Sequence, residues 1–422
     1  MMHILIISQY FYPEAFRIND MALEWVRRGC KVTVLTGIPN YPAGRFYEGY
    51  GYTKKRCERW NGIRIIRIPV LPRGTGLAGM AGNYISFVAS GFLWNMLTRI
   101  RADLVFIFEV SPMTQALAGV WYGKKHQVPV FLYAQDLWPE NVELVTGIHH
   151  PALLKPVDCM VDYIYRHTDE IFATSRSFVS AIISRRVRVS PKKVHYWPQY
   201  AEEFYQPLDA SQVLKEHLVP EIPDDDSFKI VFTGNIGYAQ GLDILPKAAV
   251  ILKEEAVTFV MVGSGRYEEA FKKSIAQKKA EDKFILIPRQ DAGRIPAMLA
   301  RCDVAYLSYP DPKTIPAKLQ SYMACGKCIL ASAGAETEKI LASADCGICC
   351  SFGKEEELAQ AVRFLMDRKK EVCRMGKNAR NYYLKHFEKS RLMDQMDAYF
   401  RKYMQNKGDT DHAKCTDYRR TL

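Results

Sequence analysis

The sequence predicts an α/β protein made of two doubly wound parallel-sheet domains. Short apolar runs alternate with helical patterns through both halves of the 422-residue chain, which is typical of βαβ units and parallel sheets. A chain of this length exceeds one ordinary core, so more than one domain is expected. Residues 200–227 are polar and contain Pro207, Pro220, Pro223 and three consecutive aspartates, which is typical of an interdomain linker.

The first predicted domain spans residues 1–199 and the second spans residues 228–388. An amphipathic helix at 389–404 and a flexible polar tail at 405–422 are predicted to follow. The strands predicted in the first domain are Ile4–Ile7, Val32–Leu35, Ile63–Ile68, Leu104–Phe108, Val128–Tyr133, Glu170–Ala173 and Val194–Tyr196. Those predicted in the second are Lys229–Thr233, Thr258–Val262, Phe284–Ile287, Val304–Leu307, Lys327–Ala331 and Gly347–Cys350.

The positive charge of the chain is concentrated in its first half. The formal net charge is +12, and residues 1–199 hold 24 basic and 14 acidic residues, against 34 and 32 in the remainder. This asymmetry favours an anionic partner for the first domain, either a membrane surface or a phosphorylated lipid, although a solvated surface would give the same count. No nucleic acid is expected, because the sequence has no basic helix or RNP-like aromatic motif.

One uncharged segment interrupts the strand–helix alternation. Residues 74–98 contain no charged side chain, include five glycines, and are bounded by Arg73 and Arg99. Their length permits a membrane span, whereas the glycines and asparagines disfavour one. A fully buried helix and a helix whose aromatic face enters the membrane interface, through residues 77–97, remain as alternatives.

Cysteine usage and the N-terminus predict a cytoplasmic protein, for which the basic first domain favours peripheral association with a membrane surface. The 11 cysteines come without secretory features, so they are expected to be reduced thiols, and no signal peptide is predicted. Cys325-x-x-Cys328 and Cys346-x-x-Cys349 match a zinc spacing, but Cys328 and Cys349 lie within predicted strands. No metal site is therefore expected.

A glycine-rich turn in the second domain predicts a phosphate site. Residues 228–243 run from an apolar strand through three glycines into a helical pattern, an arrangement that offers backbone N–H groups to anions, although an ordinary turn would look similar. Ligands of doubly wound sheets bind at the carboxyl ends of the strands, and a second glycine turn with Arg266 and other basic residues follows other strands. The candidate diphosphate-site residues are Gly234, Asn235, Gly237, Gln240, Gly263, Gly265, Arg289, Lys313 and Lys318.

The carboxyl ends of the first-domain strands carry polar and acidic residues of a different kind. Asp136 or Glu140 is a candidate general base for an attacking hydroxyl, and Glu109 is a third candidate catalytic carboxylate. Asp136 and Glu140 also lie where a helix would begin, so helix capping is an alternative role for both. The loops after the first two strands contribute Glu14, Arg17, Asn19, Asn40 and Tyr41.

Four stretches together resemble a known family. The chain resembles the retaining glycosyltransferases of family 4 at residues 11–44, 135–147, 232–243 and 315–327. These enzymes have the GT-B fold, in which two Rossmann-like domains face each other across a cleft. More narrowly, the same stretches resemble the WbuB-type enzymes of O-antigen and capsule synthesis. The resemblance implies that the second domain binds a nucleotide-sugar donor, that the first binds the acceptor through the loop residues named above, and that the helix at 389–404 crosses back to the first domain.

The sequence departs from the broader family at several site positions. Asn235 and Gln240 stand where an Arg and a Lys are usual, Lys313 and Ser321 replace the two glutamates of an E-x7-E pattern, and Gln135 replaces a histidine. Ser321 is included among the donor-binding candidates on this basis. The resemblance then implies that the donor diphosphate is neutralised by Arg289, Lys313 and Lys318.

The resemblance implies that the enzyme transfers a sugar from a UDP-sugar to a polyprenyl-diphosphate-linked acceptor. The expected sugar is an N-acetylated amino sugar or a deoxy sugar, and its anomeric configuration is expected to be retained. No metal cofactor is expected. Two alternatives remain open. A nucleotide-sugar 2-epimerase has a similar two-domain architecture and needs no acceptor. A non-catalytic, membrane-docked partner subunit would explain the replaced glutamates.

Overall fold

The computed structural model describes residues 1–74, 76–146, 150–185 and 189–418. The chain divides into two compact units. The first comprises Met1–Trp197 with Met396–Leu422, and the second comprises Pro198–Gln395.

An eight-stranded sheet forms the centre of the first unit, in the order β3-β4-β2-β1-β5-β6-β7-β8. All neighbouring strands are parallel except β3 and β4. The predicted parallel sheet is therefore confirmed, but the edge strand β3 was missed because its sequence, CERW, contains no apolar run. The strands are β1 (His3–Ile7), β2 (Lys31–Gly37), β3 (Cys57–Trp60), β4 (Ile63–Ile68), β5 (Leu104–Glu109), β6 (Val130–Ala134), β7 (Glu170–Ala173) and β8 (Val194–Tyr196).

The central strands of this sheet are buried on both faces because helices pack against each face. Every residue of β1, β5 and β6 is buried, as expected for parallel strands flanked by helices. On one face, the Trp25 ring packs edge-on against Phe106 with centroids 4.8 Å apart. The helices of this unit are α1 (Arg17–Arg27), α2 (Leu77–Leu97), α3 (Ala116–His126), α4 (Glu140–Thr146), α5 (Pro151–Arg166) and α6 (Arg176–Ile183).

The second unit contains a six-stranded, fully parallel sheet in the order β11-β10-β9-β12-β13-β14. Its strands are β9 (Phe228–Thr233), β10 (Val257–Val262), β11 (Phe284–Ile287), β12 (Val304–Tyr309), β13 (Cys328–Ala333) and β14 (Gly347–Cys350). Its helices are α7 (Ala210–Lys215), α8 (Ile244–Ile251), α9 (Glu268–Gln277), α10 (Ile295–Ala300), α11 (Lys318–Ala324), α12 (Ala335–Ala344), α13 (Glu355–Met366) and α14 (Lys369–His386).

The segment predicted as a linker, 200–227, differs from that prediction. It belongs to the second unit and contains the short helix α7, capped by the carboxylate of Asp209. Its scattered apolar side chains Val213, Val219 and Ile222 are all buried. The polar composition concealed these three buried side chains, because they are spread over ten positions and form no recognisable run.

The last helix, α15 (Lys389–Tyr418), begins in the second unit, and its residues from Met396 onward belong to the first. Lys389 forms an ion pair with Glu203 at 2.9 Å. Further along, the Phe400 ring packs against Phe131 with centroids 4.9 Å apart. The helix is longer than the predicted 389–404 and extends through most of the segment predicted as a flexible tail, of which residues 419–422 lie outside the described residues.

Helix α2 forms from the uncharged segment, of which Thr75 lies outside the described residues. One face, which includes Asn83, Phe87 and Asn95, is buried. Across the part of the chain that the structure describes, no helix has both the length and the hydropathy to cross a bilayer. The opposite face of α2 exposes large apolar side chains, namely Leu77, Ile85, Phe92, Leu93, Met96 and Leu97.

Candidate active site

Two glycine turns interlock at the carboxyl ends of β9 and β10. Gly234 takes a φ of +122° and donates its N–H to Val262 at 2.8 Å. A β-carbon on Gly263 would stand 1.8 Å from the carbonyl oxygen of Gly234, and one on Gly265 would stand 2.2 Å from that of Ile236. Only glycine permits so close an approach of two backbones. The two predicted glycine turns are therefore in backbone contact at one edge of the sheet.

The first turn is held by neutral groups. The side-chain oxygen of Gln240 accepts a hydrogen bond from the Gly237 N–H at 3.0 Å, and the Ser308 hydroxyl donates to the Gln240 carbonyl at 2.5 Å. A short 3-10 turn at Tyr238–Gln240 follows, so α8 begins at Ile244, two residues later than the predicted start. Asn235 is exposed beside this turn.

Lys318, the first residue of α11, supplies positive charge next to the glycine turn. Its Cε lies 2.6 Å from the position that a β-carbon on Gly234 would occupy. Its Nζ lies 3.7 Å from the centroid of the Phe232 ring. Among the described residues, Nζ makes no hydrogen bond or ion pair, and burial lowers its pKa to about 7.

The other predicted donor-side residues lie further from this point. Arg289 is exposed and follows β11, the edge strand two positions away from β9. Lys313 is partly exposed in a turn where its backbone N–H donates to Asp311 at 3.0 Å. Ser321 is buried on α11. The structure therefore brings Lys318, but not Arg289, against the first glycine turn.

Sequence reasoning missed Tyr322 in this unit. The Thr233 N–H, at the end of β9, donates to the Tyr322 hydroxyl at 3.0 Å, and burial raises the pKa of Tyr322 to about 12. Tyr322 thus ties α11 to the strand that leads into the glycine turn. Its position, one residue after Ser321 within a family-like motif, was the available signal.

In the first unit, Glu14 joins the loops that follow β1 and β2. Its Oε1 accepts hydrogen bonds from the backbone N–H groups of Asn40 and Tyr41, both at 2.7 Å, and its Oε2 accepts one from Phe11 at 3.3 Å. Glu14 and Asn40 are each 2% exposed. Burial raises the pKa of Glu14 to about 7, and the three N–H donors oppose that effect.

The position of Glu14 corrects the expectation that its side chain binds the acceptor directly. A carboxylate that is buried and engaged by three backbone donors holds the loops in place and has no surface to offer a ligand. Asn19 acts similarly, because its side chain accepts from the Tyr12 N–H at 3.1 Å and donates to the Glu14 carbonyl at 2.7 Å. Arg17 begins α1 and is partly exposed, and Tyr41 is 37% exposed.

The three predicted catalytic carboxylates occupy different surroundings. Asp136 is partly exposed after β6 and accepts a hydrogen bond from the Ser111 N–H at 2.7 Å. Glu140 is exposed as the first residue of α4. Glu109 is fully buried, and burial together with the nearby Asp136 raises its pKa well above the usual range. Glu109 therefore lies too deep to touch an acceptor, and Asp136 is the better-placed base.

A basic and aromatic group near Tyr41 was also missed as part of the site. The Arg73 guanidinium lies 5.3 Å from the centroid of the Tyr41 ring. That ring packs against Tyr10 and Phe16, each with centroids 5.3 Å away. The available sequence signal was the position of Arg73 directly before the uncharged segment.

No group of three or more metal-binding side chains occurs in the ranges that the structure describes. Cys325 and Cys328, from the zinc-like spacing, are buried at the end of α11 and the start of β13. Burial raises the pKa of each thiol to about 12.

Comparisons with known proteins agree with this architecture. Residues 15–199 match a family model described as a glycosyl transferase 4-like domain, and residues 215–382 match one described as glycosyl transferases group 1. Together the two matches span most of both units. Both matches identify the chain as a glycosyltransferase with a 4-like domain and a group 1 domain.

Two curated relatives of this glycosyltransferase carry related names. It is 26% identical over 354 residues to WcaI of Escherichia coli, named for colanic acid biosynthesis, covering 80% of this chain and 84% of that protein. It is 24% identical over 246 residues to WbjE of Pseudomonas aeruginosa, covering 55% and 58%.

Solved structures show that the glycosyltransferase has the GT-B fold. Sucrose-phosphate synthase from Thermosynechococcus elongatus superposes with a TM-score of 0.77 at 15% identity, covering 96% of this chain and all of that one. HepE from Anabaena, solved with UDP-glucose, gives a TM-score of 0.70 at 14% identity, covering 95% and 100%. WaaG, of lipopolysaccharide biosynthesis, gives 0.64 at 15% identity, covering 90% and 95%.

Proposed function

We propose that this glycosyltransferase moves a sugar from a UDP-sugar to a lipid-diphosphate-linked acceptor, with retention, during synthesis of a bacterial surface polysaccharide. The observation that carries the proposal is Lys318, whose ammonium makes no hydrogen bond or ion pair among the described residues and lies against the Gly234 turn. The UDP complexes of HepE and the colanic acid assignment of WcaI support the donor class and the pathway class.

Lys318 is suited to a diphosphate because its own surroundings disfavour its charge. Desolvation lowers its pKa to about 7, and a bound diphosphate would restore the charged form by direct attraction. As the bond between the sugar and the diphosphate breaks, negative charge grows on the leaving group, and a positioned ammonium stabilises it. The glycine turns add N–H donors at the same edge of the sheet.

The acceptor hydroxyl would be oriented by Asp136. Its carboxylate is the partly exposed one after β6, and the Ser111 N–H holds one of its oxygens. Glu109 acts as a positioning residue nearby, and burial raises its pKa well above the usual range. Attack on the same face of the sugar as the departing diphosphate gives retention, and N-acetylated amino and deoxy sugars remain the proposed donors.

Peripheral docking on the inner face of the membrane would bring the enzyme to its lipid-linked acceptor. At the C-terminal end of α2, Leu93, Met96 and Leu97 are 57%, 62% and 80% exposed. Exposed Arg99 lies just beyond them, and Lys125 donates to the Met96 carbonyl at 3.2 Å. Apolar side chains flanked by cations fit the interface of an anionic bilayer.

The deciding experiment incubates the purified full-length protein with a panel of UDP-sugars, with and without polyprenyl-diphosphate-linked acceptors, and analyses the products by mass spectrometry and NMR. We expect a sugar added only when acceptor is present, with the anomeric configuration of the donor. Conversion of a UDP-sugar without acceptor would instead identify an epimerase. No turnover of any pair, with UDP binding intact, would favour the non-catalytic partner subunit.

A further inference from the structure

We propose that Arg73, with the ring of Tyr41, forms the subsite for the diphosphate group of the acceptor lipid. The inference rests on the proposed function, because it assumes a lipid-diphosphate acceptor. It assigns that anion to a residue outside every group of site residues that the sequence predicts.

Arg73 is fixed to the loop that follows β2. Its backbone N–H donates to the side-chain oxygen of Asn40 at 3.0 Å, and the next residue, Gly74, donates to the Gly44 carbonyl at 2.9 Å. A β-carbon on Gly44 would stand 2.4 Å from the Gly74 carbonyl oxygen. The two loops therefore meet through their backbones, and the guanidinium is held over the Tyr41 ring.

The guanidinium of Arg73 has unused binding capacity. Two other arginines of this unit pair with carboxylates, Arg67 with Glu58 and Arg185 with Asp162. For Arg73, in the described ranges, the polar contact of the side chain is Nη2 to the Met80 sulfur at 3.8 Å, and a thioether is a weak acceptor. A planar guanidinium without a carboxylate suits bidentate binding of phosphate oxygens.

Three tyrosine side chains, Tyr41, Tyr10 and Tyr84, belong to the surroundings of the Arg73 guanidinium. The Tyr10 hydroxyl is buried and has no hydrogen-bond partner among the residues that the structure describes, and Tyr10 itself is 2% exposed. Burial raises the pKa of Tyr84, Asp136 raises it further, and Arg73 lowers it. Arg73 and Asp136 therefore both act electrostatically on the Tyr84 ring, in opposite directions.

Exposed apolar side chains lie on both sides of Arg73 in sequence. Leu71 and Leu77 are each 52% exposed, and Leu77 begins α2 with its exposed apolar face. A prenyl diphosphate has an anionic head joined directly to an apolar chain. A cation between two exposed leucines matches that order of groups, whereas a soluble sugar phosphate would leave the leucines without a partner.

The test measures binding of farnesyl diphosphate to the full-length protein, with saturating UDP present to occupy the donor side. We expect Arg73→Gln to raise the Kd at least about 10-fold, the scale of one lost charge-assisted contact, while Arg73→Lys raises it less. Tyr41→Leu should weaken binding by a smaller factor, since cation–π contacts are weaker. Arg59→Gln, which removes an exposed arginine of the edge strand β3, should change nothing.

Farnesol and inorganic pyrophosphate separate the contributions of tail and head group, and both should bind more weakly than farnesyl diphosphate. The proposal is overturned if Arg73→Gln leaves the farnesyl diphosphate Kd unchanged or if farnesol binds equally well. It is also overturned if the variant loses only its binding to anionic phospholipid vesicles, which would assign Arg73 to lipid head groups.

Failure of this inference and failure of the proposed function give different results. Binding of farnesyl diphosphate requires no turnover, so an Arg73-dependent Kd in a protein that transfers no sugar would refute only the proposed activity. Transfer to a lipid-linked acceptor with an unchanged KM in Arg73→Gln would refute only the subsite. Unchanged UDP affinity and melting temperature in each variant show that the fold is intact.

Discussion

The side chain of Lys318 lies against the backbone of Gly234, and a β-carbon at position 234 would stand 2.6 Å from its Cε. The close approach is possible because residue 234 has no side chain and takes a φ of +122°. It places a lysine from α11 at the turn after β9, although the two residues are far apart in sequence. The positive charge that the first turn lacks is thus brought to it from another part of the sheet.

Removing the Lys318 charge should weaken donor use. Lys318→Ala is expected to lower kcat/KM for the UDP-sugar at least about 10-fold and to weaken UDP binding, because one charge-assisted contact to phosphate is lost. Steady-state kinetics and UDP titration provide the measurement. Lys253→Ala, which removes an exposed lysine next to α8, serves as the control. Equal kinetics in the two variants would remove Lys318 from the donor site.

The lowered pKa of Lys318 predicts a pH dependence. Because burial brings this pKa to about 7, the free enzyme carries the charge below pH 7 and loses it above. The Kd for UDP should therefore rise as the pH increases from about 6 to about 9. Lys318→Arg, which stays charged throughout this range, should show a flatter profile. A wild-type profile no steeper than that of the arginine variant would contradict the assignment.

A side chain at position 234 should disturb both the turn and the lysine. Gly234→Ala places a residue at positive φ and displaces Lys318, so we expect a loss of about 1–3 kcal/mol in stability together with a higher KM for the donor. Thermal unfolding and kinetics test the two effects separately. Gly293→Ala is the matched control, because a β-carbon there would have nothing within 4 Å. A stable variant with normal KM would show that the contact is unimportant.

The raised pKa of Glu14 predicts that the folded protein becomes less stable as the pH rises. Its pKa is about 7 in the folded protein, against about 4.3 in an unfolded chain. Between these values the folded state binds more protons than the unfolded state, so stability falls as pH rises, by about 4 kcal/mol for the full shift. Denaturant unfolding from about pH 4.5 to about pH 8 measures this change.

The glutamine variant isolates the contribution of that carboxyl group. Glu14→Gln cannot ionise, so its stability relative to wild type should increase as the pH rises across the same range. Glu48→Gln, at an exposed glutamate of the same region, should follow the wild-type profile. Parallel profiles for the wild type and Glu14→Gln would argue against a raised pKa.

Membrane docking through α2 should depend on its exposed apolar end. Replacing Leu93, Met96 and Leu97 together by Gln is expected to abolish flotation with anionic liposomes, because the apolar side chains enter the interface. High salt should release the wild type, since the flanking cations contribute. The control replaces exposed apolar residues of the second unit, Val250, Phe364 and Leu384. Loss of flotation in the control alone would place the membrane contact elsewhere.

Much of the fold could be predicted because strand signals are local. Runs such as Ile4–Ile7 and Val304–Leu307 are apolar throughout, which is what burial on both faces of a parallel sheet requires. The strand ends then indicated which loops share an edge, and so identified the glycine turns. The edge strand CERW and the buried apolar residues of segment 200–227 were not predicted, because neither forms a continuous apolar pattern.

By itself, the sequence determined that this protein has two largely parallel sheets, where the predicted strands end to within two residues, and which loops carry glycines, carboxylates and basic residues. Only the tertiary structure decided what each of those groups can do. Glu14 and Glu109 turned inward, whereas Asp136 stayed partly exposed and Lys318 came to rest against Gly234. The physical reason is that burial, hydrogen bonding and pKa depend on neighbours far away in sequence, which no local pattern encodes.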